Sequence, residues 1–134
     1  MSRVGATKKK PMTGQKILIV EDDPLLVRMY QTKFTMEGYS VITAGDGMEG
    51  LEKVTKEKPD FLIMDVMMPR MSGLELLAEI RKNPSTAHIP ALMLSNLGQP
   101  EQVEKARALG VKEFLLKANY TPSQIVAKVK QYLG

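Results

Sequence analysis

The sequence predicts an α/β protein in which a parallel sheet is covered by helices on both faces. Five short, continuous apolar runs are typical of strands that are buried on both sides. Amphipathic segments with helix start and stop residues lie between these runs. The length of 134 residues suits one domain, and each strand–helix–strand connection is expected to be right-handed.

The first strand is predicted at 16–20, which ends in four consecutive aliphatic residues. Asp23 is a favourable N-cap for the helix that follows, and Pro24 is a favourable first helical residue. Gly38 is expected to end this helix. The apolar positions that repeat at helical spacing are Leu26, Tyr30 and Phe34.

The second unit combines a short strand at 39–43 with a helix that ends before Pro59. A turn is predicted at 44–47, because its glycines lack the Gly-Lys-Ser/Thr ending of a phosphate-binding loop. The apolar positions of the second helix are Met48, Leu51 and Val54.

The third strand, at 61–64, runs directly into Asp65. Ser72 and Glu75 have the spacing of a capping box, which predicts the start of the third helix. This helix is expected to end near Asn83. The positions at helical spacing along it are Leu74, Leu77, Ala78 and Arg81.

Proline, glycine and capping residues delimit the last two units. The fourth strand is predicted at 91–95, and Pro100 opens a helix that Gly110 closes. The fifth strand, at 113–116, is followed by a capping box with proline at 121–124. The inward positions of these two helices are Val103, Ala106 and Leu109, then Ile125, Val129 and Tyr132 or Leu133.

Five strands alternating with five helices are expected to form a flavodoxin-like (βα)5 three-layer sandwich. The natural strand order for this length is 2-1-3-4-5, an order that known folds of this kind share and that the residues alone leave open. In that order, the ligand-binding crevice lies between the first and third strands, at their carboxyl ends.

Composition limits the classes of function. Cysteine is absent, which excludes disulfides and thiolate metal sites and fits a cytoplasmic location. The four basic residues of a predicted flexible tail, 1–15, account for the whole net charge of +4. The folded part, 16–134, is therefore neutral, and direct DNA binding by it is not expected. No apolar run approaches the about 20 residues that a membrane span needs.

Polar side chains follow four of the five predicted strands, at the point where each strand ends. The carboxyl ends of parallel strands meet at one edge of a sheet, so these side chains are expected to converge. Each one alone is more simply explained as a helix cap, a turn residue or a solvated end, and only the set indicates a site. Its members are Glu21, Asp22, Asp65, Ser95 and Lys117.

This set suits phosphoryl transfer. Three neighbouring carboxylates repel one another, and a hard divalent cation such as Mg²⁺, or Mn²⁺, relieves that repulsion through oxygen ligands. Lys117 and Ser95 can contact phosphoryl oxygens. Asp65 is then a plausible nucleophile at phosphorus, and it needs no separate base because a carboxylate is already deprotonated.

With these residues in place, the chain resembles the receiver domain of a two-component response regulator over 16–134. The resemblance implies that Asp65 is the phosphoacceptor and that Glu21 and Asp22 hold Mg²⁺ together with Asp65. It also implies a metal-binding backbone carbonyl at Met67. The remaining implied roles are a switch hydroxyl at Ser95, a switch aromatic at Phe114 and a phosphate-contacting lysine at Lys117.

Two positions depart from the family pattern. Glu21 replaces the more frequent Asp but keeps its charge, so metal binding is expected to survive. Ala118 stands where the family usually has proline after a cis bond. A cis bond before alanine costs about 2.5–4 kcal/mol, against about 0.5–1 before proline. The bond is therefore either cis with strain absorbed elsewhere, or trans with a rebuilt loop.

The resemblance implies a phosphorylation-controlled switch and not an enzyme that turns over substrates. The expected partners are a sensor histidine kinase or phosphotransfer protein, and a target protein or second copy at the face of the fourth helix, fifth strand and fifth helix. With no second domain after the fifth helix, a stand-alone receiver is expected. The alternatives are a phosphorylation-independent binding module and, less favoured, an aspartyl phosphatase, whose usual second acid is replaced by Met67.

Overall fold

The computed structural model describes residues 14–133 and contains the five predicted strand–helix units. The predicted basic tail, 1–15, lies almost entirely outside the described residues and stays a prediction. Within the described part, no helix is both long and apolar enough to cross a membrane. The elements are β1 Lys16–Val20, α1 Pro24–Met36, β2 Ser40–Ala44, α2 Gly47–Glu57, β3 Phe61–Asp65, α3 Gly73–Lys82, β4 Ala91–Ser95, α4 Pro100–Ala108, β5 Glu113–Leu116, a 3₁₀ turn Lys117–Asn119 and α5 Pro122–Leu133.

All strand pairs are parallel, and the sheet order is β2-β1-β3-β4-β5, so the predicted order is confirmed. The register aligns Val20 at the end of β1 with Met64, the residue before Asp65, at the end of β3. Asp65 pairs in turn with Leu94, the residue before Ser95. Glu21, just after β1, and Asp65 and Ser95, the last residues of β3 and β4, therefore lie at the same edge of the sheet.

Two apolar cores hold the helices against the sheet. One face packs α2, α3 and α4 against alternate strand residues such as Leu18, Leu62 and Met93. The other face packs α1 and α5 against the intervening strand residues such as Ile19 and Ile63. Because both faces are covered, β3 and β4 are buried along their whole length.

The predicted helix ends form through local hydrogen bonds. The side chain of Asp23 accepts hydrogen bonds from the first-turn amides of α1, and Ser72 and Glu75 form a reciprocal capping box at the start of α3. Gly38 and Gly110 follow α1 and α4 with φ of +96° and +78°, a left-handed conformation that glycine adopts without a Cβ clash.

Three local predictions need correction. The second strand covers 40–44, one residue later than predicted. Met48 is 49% exposed, because it lies on the outer side of α2. The face of α3 that packs on α2 and the sheet contains Leu76 and Ile80 with Leu77, so Leu74 and Ala78 lie at its margin. Arg81 instead donates to the carbonyls of Ala87, Ile89 and Leu109.

Candidate functional site

Three carboxylates meet at the carboxyl edge of the sheet. Glu21 and Asp22 follow β1, and Asp65 is the last residue of β3. One carboxylate oxygen from each residue lies within 4.8 Å of the others. Glu21 and Asp65 are 2% and 4% exposed, while Asp22 is open to solvent. Among the described residues this is the cluster whose ligand atoms can reach one metal ion.

Lys117 joins two of these carboxylates. Its Nζ donates a hydrogen bond of 2.7 Å to Asp65 Oδ2 and lies 2.9 Å from Glu21 Oε1. Every peptide bond of the described residues is trans, so the Lys117–Ala118 bond follows the trans alternative. The residues after β5 form the 3₁₀ turn, and the lysine reaches the cluster from this rebuilt loop.

The electrostatics of the cluster are unbalanced. Burial, together with the negative charge of Asp65, raises the pKa of Glu21 to about 7 against the lowering effect of Lys117. Burial alone would lower the pKa of Lys117, but its contacts with the carboxylates of Asp65 and Glu21 outweigh burial and raise it. The cluster thus contains three carboxyl groups, and one ammonium pairs with two of them.

The donor set fits a hard divalent cation. Glu21 Oε1 is buried, and no hydrogen-bond donor of residues 14–133 is aligned with it, although Lys117 is at ion-pair distance. Its other oxygen accepts from the amide of Asp23 at 3.1 Å. An oxygen-only cluster, with a buried oxygen whose contact is an ion pair and an exposed carboxylate at Asp22, suits Mg²⁺ or Mn²⁺.

The other predicted site residues lie around the cluster and not in it. The hydroxyl of Ser95 donates to the Leu97 carbonyl at 2.6 Å and accepts from the Leu97 amide at 3.1 Å. Phe114 is partly buried against the core on the α4 side of the sheet. The Met67 side chain is 62% exposed, while its amide donates to Asp65 Oδ1 at 3.2 Å.

The sequence-based prediction missed how closely the loops around Asp65 pack. A Cβ on Gly73 would overlap the carbonyl oxygen of Asp65, and a Cβ on Gly47 would overlap the backbone of Met71. Asp46 and Arg70 join these loops through a side-chain ion pair. The available signal was the presence of glycine at the first positions of α2 and α3, since glycine permits a close approach of another backbone.

The raised pKa of Glu21 predicts an unusual pH dependence of stability in metal-free buffer. An unfolded Glu titrates near 4.5, whereas folded Glu21 titrates near 7. Between these two pKa values the folded state therefore holds a proton that the unfolded state has lost. The contribution of Glu21 to the free energy of unfolding is fully present below the unfolded pKa. This contribution is lost as the pH rises through the folded pKa, so the free energy of unfolding is expected to fall between about pH 5 and 8.

Urea unfolding in the presence of a chelator measures this dependence. Glu21→Gln is expected to flatten the decrease, because the amide does not titrate. Glu79→Gln, in an exposed pair with Lys82 on α3, should leave it unchanged and serves as the matched control. Equal pH slopes for the wild type and Glu21→Gln would contradict the assignment.

Comparison with known proteins gives a consistent result. A family model described as a response regulator receiver domain matches residues 17–130. The alkaline phosphatase synthesis transcriptional regulatory protein PhoP of Bacillus subtilis (strain 168) is 36% identical over 122 residues, which is 90% of this chain and 49% of that protein. The chain spans about half the length of the curated relatives it matches.

Solved structures share the fold over almost the whole described chain. Chemotaxis protein CheY4 of Vibrio cholerae superposes with a TM-score of 0.81 at 31% identity and covers 88% of this chain and 98% of its own. A CheY-like response regulator receiver domain protein from Methanospirillum hungatei JF-1 gives a TM-score of 0.83 at 27% identity, with 90% and 94% covered.

Proposed function

The chain belongs to the response regulator receiver family, which acts in two-component phosphorelay signalling, and on this premise we propose that Asp65 is its phosphoryl acceptor. One observation carries the assignment: Asp65 is both a member of the carboxylate cluster and the hydrogen-bond partner of Lys117. A nucleophilic carboxylate beside a cation and potential metal ligands is the arrangement that phosphoryl transfer needs.

In the proposed reaction, a carboxylate oxygen of Asp65 attacks the phosphorus of a phosphohistidine on a partner protein. A P–O bond forms, the P–N bond breaks, and the leaving imidazole keeps the electron pair. Asp65 needs no base, because it reacts as the carboxylate. Lys117, 2.7 Å from Asp65 Oδ2, would then contact the incoming phosphoryl oxygens and balance their charge.

We propose that Glu21, Asp22 and Asp65 hold Mg²⁺, with the backbone carbonyl of Met67 as a further ligand; Mn²⁺ would be accepted by the same oxygens. When bound, the cation supplies charge neutralisation for the three carboxylates and for the phosphoryl group. The carboxylate of Glu21 supports this assignment, because one of its oxygens lies within 4.8 Å of those of Asp22 and Asp65.

Signalling output is proposed to run through Ser95 and Phe114 to the face formed by α4, β5 and α5. In the described state, the Ser95 hydroxyl is hydrogen-bonded to its own loop at Leu97. Turning it toward an aspartyl phosphate would free that loop and let Phe114 move inward. A histidine kinase or phosphotransfer protein would act on one side of this switch, and a target protein or second copy would bind the other.

Beryllofluoride with Mg²⁺ tests the proposal, because it mimics an acyl phosphate on Asp65. We expect amide NMR shifts at Ser95, at Phe114 and along α4 in the wild type, and none in Asp65→Asn. Asp60→Asn, an exposed carboxylate at the opposite end of β3, is the matched control and should respond like the wild type. The same response in wild type and Asp65→Asn, or none in either, would rule the proposal out.

A further inference from the structure

The loop between β3 and α3, residues 66–72, contains few hydrogen bonds of its own. Its first residue, Val66, is bonded to β4 through its amide and to Gly73 through its carbonyl. Within the loop, the amide of Met71 donates to the Pro69 carbonyl at 2.8 Å. The amide of Met67 is bonded to Asp65 Oδ1 at 3.2 Å on the inner side, and the outer side of the loop is held by a separate contact.

Arg70 makes that outer contact. Its Nη2 and Nε donate to the same oxygen of Asp46, Oδ2, at 2.6 Å and 3.1 Å. Arg70 has φ of +69°, a left-handed conformation that is uncommon for a residue with a long side chain. Such a conformation persists when surrounding contacts require it, and the paired bonds to Asp46 are the contact this side chain makes among the described hydrogen bonds.

The side chain of Asp46 is itself held in place, because its second carboxylate oxygen is hydrogen-bonded to the backbone of α2. Oδ1 accepts the amide of Glu49 at 2.9 Å and caps the helix, and the side chain is only 18% exposed. The next residue, Gly47, lies against the backbone of Met71, where a Cβ would not fit. The start of α2 thus touches the loop at two points, one through side chains and one through backbone.

We propose that Asp46 and Arg70 are positioning residues that hold the β3–α3 loop in the conformation from which Met67 binds the metal ion, so that this ion pair strengthens Mg²⁺ binding. The inference rests on the proposed function, because it uses Met67 as a metal ligand. Neither residue belongs to the acidic cluster itself.

The physical reason is a population effect. If the loop adopts its binding conformation for only a fraction of the time, the apparent dissociation constant rises in inverse proportion to that fraction. The ion pair is partly solvated, since Arg70 is 63% exposed, so its effect should be smaller than that of a buried partner of a metal ligand. We expect a loss of Mg²⁺ affinity of about threefold to tenfold when it is removed.

Arg70→Asn is the most informative variant. Asparagine tolerates the left-handed backbone better than arginine, so any loss of affinity must come from the missing guanidinium contact. Asp46→Asn removes the ion pair from the other side, and the double variant should bind Mg²⁺ no more weakly than either single variant. Arg70→Lys should recover most of the affinity, and Glu79→Gln on α3 is the matched surface control.

Mg²⁺ titration followed by amide NMR gives the affinities, and hydrogen exchange in the metal-free protein gives a second readout. We expect faster exchange of the Met71 and Gly73 amides in Arg70→Asn, with the amides of β1 unchanged. Wild-type affinity and exchange in Arg70→Asn would overturn the inference. A wild type that binds no Mg²⁺ would instead refute the metal site, and the exchange data would still decide whether the ion pair holds the loop.

Discussion

Lys117→Met is expected to slow phosphoryl transfer onto Asp65 by about a hundredfold, the typical loss when one preorganised charge-stabilising donor is removed. Methionine matches the unbranched stem of lysine up to Cε but offers no cation to the phosphoryl oxygens. Lys117 is 15% exposed and is the cation within 4 Å of Asp65 and Glu21 among the described residues, so solvent should not replace it fully. The rate of labelling by a radiolabelled small acyl phosphate measures the effect.

Lys117→Met should remain folded, because protonation of Glu21 can compensate for loss of the positive charge of Lys117. Glu21 already titrates near 7, and loss of the ammonium favours its neutral form further. Lys128→Met is the matched control: Lys128 is a half-buried lysine paired with Glu113 at 3.1 Å, away from the acidic cluster. Unchanged labelling in Lys117→Met, with the control also unchanged, would remove Lys117 from the proposed chemistry.

Gly73→Ala is expected to lower the free energy of unfolding by about 2–3 kcal/mol, in the range of overpacking in a well-packed interior. A Cβ at this position would overlap the carbonyl oxygen of Asp65, which is backbone at the end of β3 and cannot rotate away. Either α3 or the end of β3 must shift to relieve this overlap. A shift of the strand end would also move Asp65, so phosphorylation would change together with stability. Urea unfolding and the labelling rate should both report the change.

Gly45→Ala provides the comparison. A Cβ there would sit 3.6 Å from the nearest heavy atom, Glu49 Oε1, which is an ordinary contact, and the backbone needs no left-handed conformation. Its stability should stay within about 0.5 kcal/mol of the wild type. If Gly73→Ala behaved like Gly45→Ala, the close approach of α3 to the end of β3 would not constrain the site.

Much of the fold was predictable because local chemistry and tertiary packing agree. The apolar runs of β1, β3 and β4 are continuous because both faces of the sheet are covered, and caps such as Asp23 and Ser72 act through bonds within one turn. Convergence of Asp65 and Lys117 followed from parallel topology alone, since strand ends share an edge. The inner face of α3 was less predictable, because its neighbours on α2 decide which side is buried.

Contacts between loops could not be predicted from local sequence patterns. Asp46 and Arg70 are 24 residues apart, and no periodicity relates them. The route by which Lys117 reaches the cluster also depended on the conformation before Ala118, for which the sequence left two alternatives. Residues that look interchangeable in the sequence, such as Gly45 and Gly47, differ because only one of them touches the backbone of Met71.

By itself, the sequence determined the α/β class, the strands and helices, and the set of acids and lysine at one edge of the sheet, because these depend on periodicity, capping and topology. Only the tertiary structure decided that the Lys117–Ala118 bond is trans, that Lys117 pairs with Asp65, and that the loop beyond Asp65 is tied to α2 through Arg70. Those features depend on distances between segments far apart in the chain, which packing sets and local residue preferences do not encode.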